Sequence, residues 1–261
     1  MPYSFAKPSQ ESLAPLNNPV VVVNRAIKQH TVIKKHTHEW GQFIYANQGI
    51  LAVVTDDYRY VVPSQQGVWV PPERGHEVST LSDVELTSFY IDRACLDRLP
   101  PTCKVLNVTS FLKTLIIEAK YIPKIFSWTD SSGRLLRLIL DRIADAESVD
   151  LQLPFPRDKR LRLILDQMLA HTSEHKSIEQ WGREVGASGR TLSRLFKKET
   201  GLTFSDWKQR LNTQLAIRQL HEGMLINQIS LDLGYGSTSA FISMFKKTTG
   251  LTPGNYQKWR P

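Results

Sequence analysis

The chain changes its hydrophobic rhythm part-way along. Over residues 20–92 apolar positions cluster in short runs, at 20–23, 42–46, 50–55, 58–62, 68–70 and 84–90. Turn-forming pairs such as Asp56-Asp57, Pro63-Ser64 and Ser82-Asp83 separate several of them. Such runs predict strands, and many short strands at this spacing predict an antiparallel sandwich or barrel. From Phe111 the spacing becomes helical. Phe111, Leu112, Leu115 and Ile116, then Leu135, Leu136, Ile139, Leu140 and Ile143, predict helices over 111–122 and 135–143. Leu153-Pro154-Phe155-Pro156 interrupts any helix and reads as a linker. A further helix is predicted over 159–171. Ile178, Trp181 and Val185, and again Ile226, Ile229 and Leu233, mark one buried face of two short helices.

The C-terminal third repeats itself. Leu195-Phe196-Lys197-Lys198-Glu199-Thr200-Gly201-Leu202-Thr203 returns 49 residues later as Met244-Phe245-Lys246-Lys247-Thr248-Thr249-Gly250-Leu251-Thr252. An aromatic follows each copy at the same distance, Trp207 and Tyr256. These are expected to close each unit by packing. Gly186 and Gly234 stand where a helix needs a left-handed stop, and Ser188 and Ser237 where the next helix needs an oxygen cap. Helix, Gly-containing turn, helix is the helix-turn-helix pattern, whose second helix enters the major groove of DNA. A helical segment over 204–221 joins the two copies.

Residues 158–260 resemble the DNA-binding domain of the AraC/XylS family of bacterial transcription regulators. The matching positions include Gly186, Ser188, Arg190, Thr191, Leu192, Arg194, Phe196, Thr200-Gly201, Leu233-Gly234-Tyr235, Ser237, Phe241, Phe245, Gly250 and Pro253. The resemblance implies two helix-turn-helix units, about 177–200 and 226–249, in successive major grooves of double-stranded operator DNA. It also implies a role as activator, a homodimer and contact with RNA polymerase.

Charge sharpens this picture. The formal net charge is +8, and residues 158–261 hold 16 Lys and Arg against 9 Asp and Glu. Residues 1–157 hold 17 and 16, so the excess lies almost wholly in the repeat. A basic surface confined to one domain suits phosphates. The DNA-facing positions are read as Ser188, Arg190, Thr191, Ser193, Arg194 and Lys197 in the first unit. In the second they are Ser237, Thr238, Ser239, Ser243, Lys246 and Lys247. The 49-residue offset maps Arg190 onto Ser239 and Arg194 onto Ser243, so the second unit lacks both arginines. Family members often keep an Arg near the second of these positions. An asymmetric reader is expected, with base readout in the first unit and phosphate contact in the second.

The first half carries a histidine constellation. His36-Thr37-His38 would put two imidazoles on one face of a strand, with Gln42 in the same parity and His76 behind Pro71-Pro72-Glu73-Arg74-Gly75. His-x-His with a later Gln, then Gly67, Pro71 or Pro72, Gly75 and His76, resembles the two motifs of the cupin barrel over residues 20–92. Metal-binding cupins use such residues for Fe, Mn, Ni, Zn or Cu, though the enzymes usually have Glu where Gln42 stands. A divalent metal on His36, His38 and His76, with Gln42 as a further ligand, is one reading. An organic effector held by the histidines directly, or a satisfied polar core, are the others. Trp40, Tyr45 and Trp69 join His36, His38, Gln42 and His76 as the expected effector-binding set, with Tyr90 nearby.

The expected fold is therefore α+β and two-domain. Residues 1–18 form a loose arm, 19–100 an antiparallel β-barrel sensor, 101–153 a helical connector that dimerises or covers the barrel end, and 158–261 an all-α double helix-turn-helix. No apolar run is long enough to cross a bilayer, residues 1–18 lack a signal-peptide pattern, and Cys95 and Cys103 read as reduced thiols. These point to the cytoplasm. A metal-dependent cupin enzyme tethered to DNA, and a constitutive DNA binder whose barrel only dimerises, are the competing readings. Gln42, standing where such enzymes usually have Glu, counts against the enzyme.

Overall fold

A computed structural model describes residues 4–6, 16–63, 66–149, 152–170 and 176–258. It divides into two compact units. One holds residues 1–56 and 60–150; the other holds 57–59 and 151–261.

The first unit is built on two sheets. Strands β1 (Ser4–Ala6), β3 (Thr31–His36), β8 (His76–Thr80), β5 (Ile50–Thr55) and β6 (Tyr58–Pro63) follow one another in the first sheet. Strands β11 (Ser148–Val149), β10 (Lys104–Asn107), β7 (Gln66–Val70), β4 (Gly41–Gln48), β9 (Val84–Ile91) and β2 (Val20–Ile27) form the second. The pairs are antiparallel except β1 with β3. The predicted barrel is thus two hydrogen-bonded sheets that do not close on each other. Of the predicted arm, Ser4–Ala6 is the edge strand β1, and 1–3 and 7–15 lie outside the described residues.

The second sheet is covered on one face by helices α1 (Ser110–Ala119) and α2 (Ser131–Ala144). Phe43, Tyr45, Trp69, Phe89 and Ile91 from the strands share one apolar cluster with Leu112, Ile116, Leu136, Ile139 and Ile143 from the helices. The helices predicted as a connector thus share an apolar cluster with the second sheet, and β10 and β11 flank them in sequence. Two glycines make room for the aromatics. A Cβ at Gly67 would stand 2.2 Å from the Phe43 ring, and one at Gly41 would stand 2.1 Å from the Trp69 ring.

The second unit begins with β12 (Leu153–Pro154), paired with Tyr58 and Arg59. The expected linker is anchored there: Leu153 is buried, and the Pro154 carbonyl accepts the Trp207 indole N–H at 3.0 Å. Helices α3 (Lys159–Ala170), α4 (Ile178–Glu184), α5 (Gly189–Thr200), α6 (Phe204–His221), α7 (Ile226–Asp232), α8 (Thr238–Thr249) and α9 (Pro253–Lys258) follow. The capping chemistry matches the sequence. Ser188 and Ser237 cap α5 and α8, and Gly201 and Gly250 end them at φ 72° and 78°. Ser177 and Gln180 form a reciprocal capping box on α4. Of the four helices in the two repeated units, only α7 starts without a side-chain cap: Leu225 is its N-cap, 71% exposed.

Trp207 and Tyr256 are buried and meet Phe196 and Phe245 edge-on, with centroids 6.1 and 5.4 Å apart. That assigns them to packing. The repeat differs at Glu199 against Thr248 for a local reason. The Glu199 carboxylate accepts the backbone N–H groups of Arg157 and Asp158 at 2.7 and 2.9 Å, which fixes the approach to α3.

Two stability changes follow. Gly67→Ala should lower the melting temperature by overpacking, at a cost of about 1–3 kcal/mol. Leu225→Ser should raise it, adding about 0.5–1 kcal/mol through the missing cap. Thermal unfolding followed by circular dichroism measures both.

Candidate DNA interface and histidine site

Helices α5 and α8 expose the positions picked out in the sequence. Leu192, Phe196, Phe241 and Phe245 turn inward and are buried. Ser188, Arg190, Ser193, Arg194, Lys197, Ser237, Ser239, Ser243, Lys246 and Lys247 are exposed, and Thr191 and Thr238 half-buried. Their roles separate by chemistry. The Ser188 hydroxyl accepts from the Thr191 backbone N–H at 3.1 Å and bonds the Thr191 hydroxyl at 2.9 Å, so both are engaged in the cap. Ser237 accepts in the same way from the Ala240 backbone N–H at 3.2 Å. The Lys197 ammonium donates to the Gly201 carbonyl at 2.8 Å, at the negative end of its own helix. Arg190 and Arg194, one turn apart, have no ion pair or hydrogen bond among the described residues. Two adjacent guanidinium groups with all donors open to solvent fit guanine edges or phosphate oxygens. The corresponding face of α8 offers only the hydroxyls of Ser239 and Ser243 before its two lysines.

Helix α6 sets the two readers apart. Trp207 and Leu211 join the core beneath α5, in a cluster with Trp181, Leu192 and Phe196. Further along, Ala216, Ile217 and Leu220 are buried as well. Asn212 donates to the Leu233 carbonyl and the Tyr235 hydroxyl, both at 3.4 Å.

In the first unit the histidines converge, though not by the expected route. Strand β3 ends at His36, so His38 lies in the loop beyond it. His76 opens β8 directly across from His36, which brings their ring centroids to 4.4 Å. The His38 loop is held by its carbonyl, which accepts the Glu73 backbone N–H at 2.8 Å. Glu73 itself has φ 61°, a left-handed backbone in the turn before His76. Strain of this kind concentrates at functional sites. One ring nitrogen from each of His36, His38 and His76 lies within 4.8 Å of the others.

The hydrogen bonds set the tautomers. Nδ1 of His36, His38 and His76 faces the carbonyls of Lys34, Trp40 and Arg74 at 2.9, 2.7 and 3.0 Å. A carbonyl accepts only, so each Nδ1 carries the proton. Burial lowers the His38 pKa and pushes that of His76 down to about 3, so both rings are neutral at pH 7 and present lone pairs at Nε2. Yet Nε2 of His38 and His76 stands 3.0 and 3.1 Å from the Gln42 amide oxygen. Three acceptors then face one another with no proton between them. Two arrangements relieve this. The Gln42 amide turns over, giving NH₂ to the rings and its oxygen to the Ser88 hydroxyl, 3.0 Å from the present amide nitrogen. Otherwise a cation sits among them, for which Nδ1–H on a carbonyl is the usual outer support of a ligating imidazole.

The cluster borders a cavity between the sheets of about 20 Å³, lined by His36, Gln42, Ser88, Arg25 and Tyr90 among others. That is space for about one water molecule. Trp40 stacks on His38 at 5.7 Å and 4°, and its buried indole N–H has no partner among the described residues. Tyr45 and Trp69 are placed elsewhere. They alternate away from Gln42, into the core beneath α1 and α2. Tyr45 is three residues from Gln42, and Trp69 pairs with Phe43, so both point to the opposite face. The sequence reading missed Arg25 and Ser88, because β2 and β9 lack a clean polar alternation to mark their cavity side.

Sequence comparison agrees with the geometry. Residues 181–258 match a helix-turn-helix domain, and residues 18–189 match the AraC-like ligand binding domain. The chain belongs to the AraC family of helix-turn-helix transcription regulators. It is 31% identical over 221 residues to the HTH-type transcriptional regulator NimR of Escherichia coli, covering 85% of this chain and 81% of that one. It is 23% identical to the HTH-type transcriptional activator RhaR of Cronobacter sakazakii over 98% of this chain and 94% of that one. A structure of ToxT from Vibrio cholerae aligns over 92% of this chain and 98% of that one, with 12% identity and a TM-score of 0.39. No helix of the described residues is long and apolar enough to cross a membrane.

Proposed function

We propose that this regulator reads an asymmetric operator with two unequal helices, under the control of a ligand held between the sheets of its N-terminal unit. The observation that carries the proposal is the contrast between Arg190 and Arg194, exposed and unpaired among the described residues on α5, and Ser239 and Ser243 at the equivalent places on α8. An Arg that bonds guanine O6 and N7 in pairs supplies about 1–3 kcal/mol of discrimination, which a serine hydroxyl does not match. Helix α5 therefore specifies bases, with Ser193 beside the arginines. Helix α8 positions the duplex through Lys246 and Lys247, with weaker contacts from Thr238, Ser239 and Ser243. A homodimer that touches RNA polymerase in the cytoplasm completes the reading. Family membership supports it, and so do the apolar side chains left exposed on the sensor helices, Phe111 on α1 and Leu138 on α2.

In the sensor, the three imidazoles and the Gln42 amide oxygen fit a divalent transition metal. Imidazole nitrogen suits Zn, Ni, Cu or Fe, and an amide oxygen is a weak extra ligand that leaves the site positive. The metal would supply a Lewis-acidic contact for a water-sized acceptor, since the adjoining cavity holds about one water molecule. Trp40 stacks on His38 with its indole N–H unpartnered among the described residues. The metal-free arrangement, with the Gln42 amide turned over, keeps the cluster as a polar core.

Selection from a randomised operator library tests the reader. Arg194→Ala should relax preference at one base pair by about 1–3 kcal/mol, and Ser243→Ala should change the selected sequence little. Equal effects would remove the asymmetry. For the sensor, purified protein dialysed against zinc, nickel or manganese should retain about one equivalent by mass spectrometry, and His76→Ala should retain none. A wild-type protein that retains no metal from any of the three would leave the polar-core arrangement.

A further inference from the structure

We infer that the sensor unit holds a second ligand site, a cavity of about 350 Å³ beside α2 that takes a small, flat, uncharged aromatic molecule. It shares no lining residue with the histidine cavity. Its apolar walls are Trp128, Leu99, Leu140 and Ala144. Its volume lies at the small end of ligand pockets, which run from about 300 to 1,000 Å³.

Trp128 is the reason to read the cavity as a site. The turn that carries it is fixed from several sides. Asp130 accepts the backbone N–H of Gly133 and of Ser127, both at 3.1 Å, which caps α2 and closes the turn. Gly133 lies so close beneath that a Cβ there would stand 1.9 Å from the Trp128 carbonyl oxygen. Arg137 donates to that same carbonyl and places its guanidinium 5.2 Å from the centre of the indole ring. Despite this the indole is only half-buried, and its N–H has no hydrogen bond among the described residues. A rigid aromatic plane beside an open apolar space loses little entropy when a second ring packs on it.

The charges select against ions. Arg98 bridges Asp141 and Asp145 through its two terminal nitrogens, so its charge is countered by carboxylates. That leaves Arg137 and Asp97, one of each sign. The lining carries two arginines and two aspartates in all, so the cavity presents no net charge to an ionic ligand. The Cys95 thiol at its edge is held protonated by burial and by Asp92 and Asp97, and acts as a neutral, polarisable wall.

Full-length protein labelled with 5-fluorotryptophan provides the test. The ¹⁹F resonance of Trp128 is identified by its loss in Trp128→Phe. Titration with indole should move it saturably, with a dissociation constant in about the micromolar to low millimolar range expected for a fragment-sized ligand. Benzoate and benzylamine should bind at least about tenfold more weakly. Ala144→Phe should fill the cavity and abolish the shift while unfolding at or near the wild-type temperature. Glu118→Gln, at an exposed position of α1, should leave the shift intact. An indole shift that survives in a folded Ala144→Phe would overturn the proposal, as would no shift at all or equal binding of the charged probes. So would a Trp128 resonance that moves with protein concentration and not with indole, which would assign the cavity to a second copy of the chain.

Discussion

The burial of helix α6 is the constraint on which DNA recognition depends. A reader helix of twelve residues is marginal by itself. Each is held only because Leu192 and Phe196, or Phe241 and Phe245, sink into a core that also buries part of α6. Trp207 ties the N-terminal end of α6 to the strand at Pro154, and Asn212 ties its middle to the turn of the second repeated unit. Eighteen helical residues span roughly 27 Å, the order of one turn of B-DNA. Because α6 is buried on several sides, its apolar side chains are not confined to one stripe. The separation of the readers is thus set by packing, and the surface positions stay free to vary with the operator.

The sensor unit rests on a different balance. Its second sheet is buried on both faces, one beneath α1 and α2 and one against the first sheet. The helical side is filled by aromatics over glycines. The other side holds polar groups where a core would ordinarily be apolar. Three imidazoles, an amide, a hydroxyl and an indole N–H with no partner among the described residues cost stability unless something satisfies them. That cost is a reason to assign a ligand to this face. The cavity beside Trp128 belongs to the helical side, so the two faces of one sheet would report on two chemistries.

Much of the DNA-binding half was legible in the sequence, because its signals are local. Apolar spacing, Ser188 and Ser237 as caps, and Gly186 and Gly234 as left-handed stops each depend on neighbours within a few residues, and α6 spans the predicted 204–221. The sensor was less legible because its signals are not local. Strands β3, β8 and β10 were not predicted, since β3 and β8 mix Lys, His, Glu and Thr with their apolar residues, and β10 is only four residues long. The histidines were found by motif, yet the reason given for their meeting was wrong. His36 and His76 meet through cross-strand register, and His38 through a loop bond to Glu73. Tyr45 and Trp69 were grouped with them because aromatic content does not reveal which face of a doubly buried strand a side chain occupies. For Tyr45, three residues from Gln42 on the same strand, parity did hold that information; for Trp69 it lay in the pairing with Phe43.

The central claim is that one reader specifies bases and the other mainly positions the duplex. Dimethyl sulfate interference on a selected operator, run beside hydroxyl-radical footprinting, tests it most directly. Two protected backbone segments about one helical turn apart should appear. Guanine N7 methylation should block binding under only one of them. Interference of equal strength under both segments, or a single protected segment, would contradict the account.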